Sequence, residues 1–303
     1  MAHQPIPFSI SRADPDISRL PAGIPHRSTQ IRYRPEENPF TTVFVDVTHR
    51  CNMECQNCYI PNRELPDMDA PWMLDVLGRL PRRTRIRISG GEPTLRKDLP
   101  ALIRAMRALG HLPTVLTNGL KLSSPGYLKK LKQAGLRTLH VSCNGGVSDD
   151  AYEAIDGMRC AKQKLKALDL ASQAHMFVTV GMVLARGVNE DQVAGLWRHV
   201  RHLRGVREVH FRSVGDLGRY MPQPPLTLAE MRVLVQTAVG VPERQWSILH
   251  EDARNSDMRV GRVKVNLTAW PDLGSQWRGR LTPDGMIEPM FEHLILNAAQ
   301  GGY

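Results

Sequence analysis

Residues 43–59 read Val43-Phe44-Val45-Asp46-Val47-Thr48-His49-Arg50-Cys51-Asn52-Met53-Glu54-Cys55-Gln56-Asn57-Cys58-Tyr59. Apolar residues alternate over the first part, as they do in a strand with one face buried. The strand runs into a loop that carries Cys51, Cys55 and Cys58 at a C-x3-C-x2-C spacing. A closed structural metal site takes four protein ligands, and a [4Fe–4S] cluster used only for electron transfer normally takes four thiolates. The remaining cysteines, Cys143 and Cys160, are distant in sequence, and neither lies in a C-x-x-C pair that would complete a zinc ribbon. The three thiols therefore read as holders of an iron–sulfur cluster with one iron left open for a further ligand. On spacing alone, a zinc or redox site is the alternative.

Outward from this loop the chain repeats strand, loop and helix. Further candidate strands are 85–89, 113–116, 138–142, 176–184 and 208–212, with helical spacing of apolar residues near 70–80, 97–109, 124–134, 161–173 and 189–203. Short strands alternating with helices imply a parallel sheet. Six units are fewer than the eight of a closed barrel. The expected fold is α/β, a partial (β/α)6 TIM-like barrel over residues 42–215. A proline-rich N-terminal arm spans 1–41, and a C-terminal α+β extension spans 216–303.

In barrels of this kind the functional residues gather on loops after the C-terminal ends of the strands. The cysteine loop follows the first strand, Ser89-Gly90-Gly91-Glu92-Pro93 the second and Thr117-Asn118-Gly119 the third. Ser142-Cys143-Asn144-Gly145 ends the fourth, Met182-Val183-Leu184 the fifth and Arg212-Ser213 the sixth. All six candidate motifs fall on one rim.

The cysteine loop, ending on aromatic Tyr59, resembles the signature of the radical S-adenosylmethionine (SAM) enzymes, and the resemblance spans about residues 42–215. It implies the same partial barrel, a [4Fe–4S] cluster on Cys51, Cys55 and Cys58, and SAM chelated to the open iron by its amino and carboxylate groups. One electron then cleaves the sulfonium to a 5'-deoxyadenosyl radical. Gly90, Gly91 and Glu92 resemble the family's turn for the SAM ammonium, where glycine lets the backbone approach a ligand. Tyr59 matches a position beside the adenine, although an ordinary core aromatic reads the same way. Asn118 and Ser142 resemble positions that bond the ribose or carboxylate, and Val183 an apolar contact to adenine. Arg159 would pair with the SAM carboxylate, a task suited to a bidentate guanidinium. Asn144 stands where many relatives carry Asp, replacing a charge with an amide that donates as well as accepts.

Some relatives quench a substrate radical with a thiol, which makes Cys143 and Cys160 candidates alongside Asn144. Strand alternation turns Cys143 away from the side that Ser142 faces, and a buried free cysteine usually behaves as a small hydrophobe. Arg212, Arg219 and Tyr220 resemble an element that closes the SAM site or lines the substrate cavity. The tail contains a likely strand at 262–267 and a hairpin signal at Thr282-Pro283-Asp284-Gly285, but no cysteine. It is expected to bind no auxiliary cluster and to close the open side of the barrel, with Trp270 and Trp277 either lining the substrate pocket or packing as ordinary core aromatics.

Forty basic against 30 acidic residues give a net charge of +10. That balance permits an acidic partner, such as a flavodoxin or ferredoxin that reduces the cluster, or RNA. No run of 18 apolar residues and no secretory signal appear, so a cytoplasmic protein is expected. The reading is an enzyme that takes hydrogen from a small polar metabolite or short peptide. RNA modification is the alternative substrate class, and a non-catalytic electron-transfer or binding protein is the alternative of another kind.

Overall fold

A computed structural model describes residues 32–58, 60, 62–214, 224–269 and 278–290. Tyr59, Arg219, Tyr220, Trp270 and Trp277 lie outside them. Six strands, β1 (Thr42–Thr48), β2 (Arg85–Gly90), β3 (Leu112–Thr117), β4 (Thr138–Ser142), β5 (Phe177–Leu184) and β6 (Val206–Ser213), pair in parallel in sequence order. Between them run α1 (Ala70–Arg79), α2 (Leu99–Ala108), α3 (Pro125–Gln133), α4 (Asp149–Asp156), α5 (Ala161–Gln173) and α6 (Gln192–Val200). Alternation decides the faces: Val43, Val45, Ile86, Ile88, Val141 and Phe211 are fully buried in the main core. Successive strand residues point to opposite faces, so Asp46, Arg87, His140 and His210 occupy the other side of the sheet.

Two helical features depart from the sequence expectation. Helix α4 lies outside the expected helical stretches, yet it buries an apolar face of Ala151, Tyr152 and Ile155 and carries clear end signals. Ser148 caps it by accepting the Ala151 N–H, Asp149 and Asp150 fill its first turn, and Gly157 ends it at φ +70°. Helix α6 begins at Gln192 rather than 189 because Asn189 is committed to side-chain bonds described below.

The described part of the tail adds strands to both edges of the six-stranded unit. After α7 (Leu228–Val239), β7 (Trp246–Glu251), β8 (Asn255–Val260) and β9 (Val263–Thr268) extend the sheet beyond β6, with β9 parallel to it. At the opposite edge β10 (Arg278–Leu281) pairs in parallel with β1 and turns through Gly285, φ +85°, into antiparallel β11 (Ile287–Pro289). Among the described residues the sheet is one 11-stranded surface that does not close. Both edges of the six-stranded unit present unpaired backbone groups, and the tail satisfies each of them. Residue 33 of the arm joins β11 through two backbone bonds between Tyr33 and Ile287, both 2.9 Å.

Candidate active site

The cysteine loop leaves β1 and is stitched at once to the turn after β2. Gly91 N–H donates to Thr48 O and Glu92 N–H to Arg50 O, both at 2.8 Å. A Cβ on Gly90 would stand 2.1 Å from Thr48 O, and one on Gly91 2.3 Å from Arg50 O. The immediate need for both glycines is thus the chain's own backbone, not a ligand. Gly90 also holds φ +119°, a region closed to other residues.

Glu92 is 1% exposed, and its carboxylate gathers the rim. One oxygen accepts from Thr94 N–H at 2.9 Å, Thr94 hydroxyl at 2.6 Å and Thr117 hydroxyl at 2.7 Å. The other accepts the Asn118 N–H at 2.7 Å. Asn118 in turn donates its side-chain amide to Asn52 Oδ1 at 2.8 Å, which brings the end of β3 to the cysteine loop. On the far side the loop is pinned to α4: Gln56 N–H donates to Ile155 O at 2.7 Å. A Cβ on Gly157 would meet Glu54 O at 2.9 Å.

Cys51, Cys55 and Cys58 are each half-buried. Burial pushes the Cys51 and Cys55 thiols up, with smaller contributions from Glu92 at Cys51 and Asp156 at Cys55. Cys58 acts on both thiols, and Cys51 on Cys55, so the three sulfurs share one locality. Arg63 lies against them. Its Nη1 reaches Met53 O and Glu54 Oε1, while buried Nε and Nη2 have no hydrogen-bond partner. A guanidinium set against Cys58 and close to Cys51 fits a group that carries negative charge on sulfur. Among the described residues no three His, Cys, Asp or Glu side chains draw together as ligands of a single ion. Three thiols in one locality with a guanidinium against them are donors that suit an iron–sulfur cluster, whose thiolates bind different irons.

Behind the loop lies a buried polar network that the sequence reading missed. Lys164 is 0% exposed, and its ammonium donates to Ser142 O at 2.9 Å and stands 3.7 Å from Asp156 Oδ2. The ammonium also lies 5.2 Å from the centre of the Tyr152 ring. Asn144 donates to Asp156 Oδ1 at 2.7 Å and accepts the Val183 N–H at 2.9 Å. Asn189 donates to Asn144 O and Val183 O, both at 2.7 Å. The departure at position 144 now has a reason: an Asp there would set a second carboxylate against Asp156, whereas the amide donates to it. A signal for Lys164 existed, since it shares the apolar stripe of α5 with Ala161, Ala167, Leu168 and Ala171.

The remaining candidates separate. Ser142 and Val183 end β4 and β5 on the concave face beside one another, with Arg212 opposite Val183 on β6. Arg159 is exposed and bonded to Asp150 at 2.5 Å and Glu153 at 2.9 Å. Cys143 is fully buried in the main core beside the Tyr152 hydroxyl, which has no hydrogen-bond partner of good geometry. Cys160 packs with Met53 and Tyr152 against Cys51 and Cys55. Burial raises both of these thiols to about 11. Two surface hollows, one beside Asp149 and His199 and the other beside Arg186 and Glu230, involve none of the predicted cofactor residues.

An open parallel barrel with a three-thiol loop after its first strand, locked to a Gly-Gly-Glu turn after its second, defines an iron–sulfur enzyme class. Residues 45–199 match the family model described as "Radical SAM superfamily". A 212-residue alignment is 34% identical to 7,8-dihydro-6-hydroxymethylpterin dimethyltransferase of Methanocaldococcus jannaschii, covering 66% of this chain and 41% of that one. The chain thus spans well under half of that relative's length. GTP 3',8-cyclase of Xanthomonas campestris is 29% identical over 95% of this chain and 85% of its own. Among solved structures, Streptococcus suis SuiB bound to S-adenosylmethionine superposes with a TM-score of 0.61 at 15% identity, over 82% of this chain and 60% of that one. The chain belongs to the radical SAM superfamily, whose members use a [4Fe–4S] cluster and SAM.

Proposed function

We propose that this enzyme takes hydrogen from an unactivated C–H of a small polar metabolite or a short peptide in a biosynthetic pathway. Bound together, the cluster and SAM supply a 5'-deoxyadenosyl radical, and the protein's part is to position and to exclude water. Cys51, Cys55 and Cys58 would hold the cluster, with Arg63 donating toward their sulfurs. Gly90, Gly91, Glu92, Asn118 and Ser142 would position SAM, and Val183 would face its adenine. Arg159 would join them only by leaving Asp150 and Glu153. The observation that carries the reading is the direct bonding of the cysteine loop to the Gly-Gly-Glu turn and to Asn118.

A polar metabolite is favoured by the concave face, where Arg87, His140, Glu208, His210 and Lys264 stand among the six central strands and β9. The names of two relatives point the same way, one a pterin dimethyltransferase and one a GTP cyclase, while SuiB has been solved with a precursor peptide. An acidic flavodoxin or ferredoxin would suit the basic surface as electron donor. The test is anaerobic reconstitution with iron and sulfide, then dithionite and SAM, with chromatography for 5'-deoxyadenosine. Wild type is expected to form it and the Cys51/Cys55/Cys58→Ala triple variant none. A well-loaded, reducible cluster that gives none with candidate substrates would sink the reading.

A further inference from the structure

Inside the sheet's concave face two histidines meet where no sequence motif places them. His140 on β4 and His210 on β6 are separated by β5, yet their rings stand 6.3 Å apart, edge to face at 76°. Gly181 of β5 makes this contact possible. It is the register partner of both Ser142 and His210, and a Cβ on it would lie 2.4 Å from His140 Nε2. His140 therefore leans across β5 through space that any other residue would fill. His210 is level with Ser142, one rung beneath Val183 and Arg212, and His140 lies one rung below Ser142 on β4, so a group that touches the pair lies just beneath the expected SAM position.

We propose that His140 and His210 form the recognition wall of the substrate cavity, and that the group they bind is an anion, a carboxylate or phosphate of the substrate. This rests on the radical SAM reading of the rim above. Three observations carry it. First, the imidazoles are supplied with little else to bond: His210 Nε2 contacts Thr268 Oγ1 at 2.9 Å, and His140 has no hydrogen bond among the described residues. Second, both are half-buried and still reachable from the concave face. Third, the charges around them are cationic. Arg87 from β2, Arg212 from β6 and Arg278 from β10 all act on both rings. The facing carboxylates are spent, Glu208 and Asp257 on Lys264 and Asp46 on Arg280.

Burial first, and these arginines next, hold both imidazoles well below their ordinary range, so they are neutral in the free protein. An anion in the cavity opposes the arginine field and restores the charged form. Anion binding therefore takes up protons, and affinity falls as pH rises through the imidazole pKa of the complex.

The experiment is titration calorimetry on the full chain, reconstituted with cluster and SAM, using inorganic pyrophosphate and succinate as probes in buffers of different ionisation heat. At least one probe is expected to bind with net proton uptake, and which one binds separates phosphate from carboxylate. His140→Asn and His210→Asn should each weaken binding about tenfold, as loss of a hydrogen bond to a charged group does. Gly181→Ala keeps both histidines but displaces His140 from His210, and is expected to weaken binding as well. It serves as the second probe should a histidine variant fold poorly. Absence of binding by both probes, binding without proton uptake, or equal affinity in folded variants would overturn the proposal. 5'-Deoxyadenosine formation measured on the same wild-type preparation reports separately on the radical reading. Cleavage without an anion response leaves that reading standing, and the reverse leaves only the anion site.

Discussion

The Lys164 ammonium lies 3.7 Å from Asp156 Oδ2 with both side chains at most 2% exposed, directly behind the loop that carries Cys55. The pair joins α4 to α5, and through Ser142 O and Asn144 it reaches the ends of β4 and β5. A buried pair of this sort is costly to break from one side, because the survivor keeps its charge without compensation.

Lys164→Met should therefore destabilise the protein by about 3–5 kcal/mol, and Asp156→Asn by a similar amount. The double variant should recover part of the loss. Urea unfolding of the four proteins in a double-mutant cycle reads the coupling, and strictly additive losses would count against a coupled pair.

Glu92→Gln should cost about 1–3 kcal/mol, because the new amide nitrogen must face donors that now point at a carboxylate oxygen. Thr94, Thr117 and Asn118 supply those donors. The measurement is chemical denaturation of the cluster-free protein, where a loss cannot come from weakened SAM binding.

Gly91→Ala should prevent cluster assembly even though position 91 ligates nothing. Its Cβ would meet Arg50 O at 2.3 Å, and backbone next to Cys51 must move to admit it. Iron and sulfide content after reconstitution checks this, with Gly126→Ala as the comparison, since a Cβ there meets nothing within 4 Å.

Glu230 closes the capping box of α7 with Thr227 and also receives Arg186. The backbone N–H of Thr227, then its hydroxyl and Arg186, lower its carboxyl to about 2. A depressed carboxylate pKa contributes stability that is present above the unfolded value and lost as pH falls toward about 2. Side-chain NMR titration should place the midpoint well below that of an ordinary glutamate, and Glu230→Gln should remove the acid-range response of α7.

The amino-acid sequence by itself determined the barrel, the cluster and the rim. Period-two strands and helical stripes name their own faces, and Cys51, Cys55, Cys58, Gly90, Gly91 and Glu92 are contiguous enough for local spacing to carry their chemistry. Helix α4 was not among the expected helices, although Ser148, Gly157 and its apolar face of Ala151, Tyr152 and Ile155 mark it. The tertiary structure alone decided which distant residues share a site. The Lys164–Asp156–Asn144 network and the His140–His210 contact each join different segments, and their existence depends on strand register and on the space above Gly181. It also decided the tail, whose strands pair with both edges of the sheet. Unsatisfied backbone on an edge strand attracts any suitable partner, and no short-range pattern in the tail says which edge that will be.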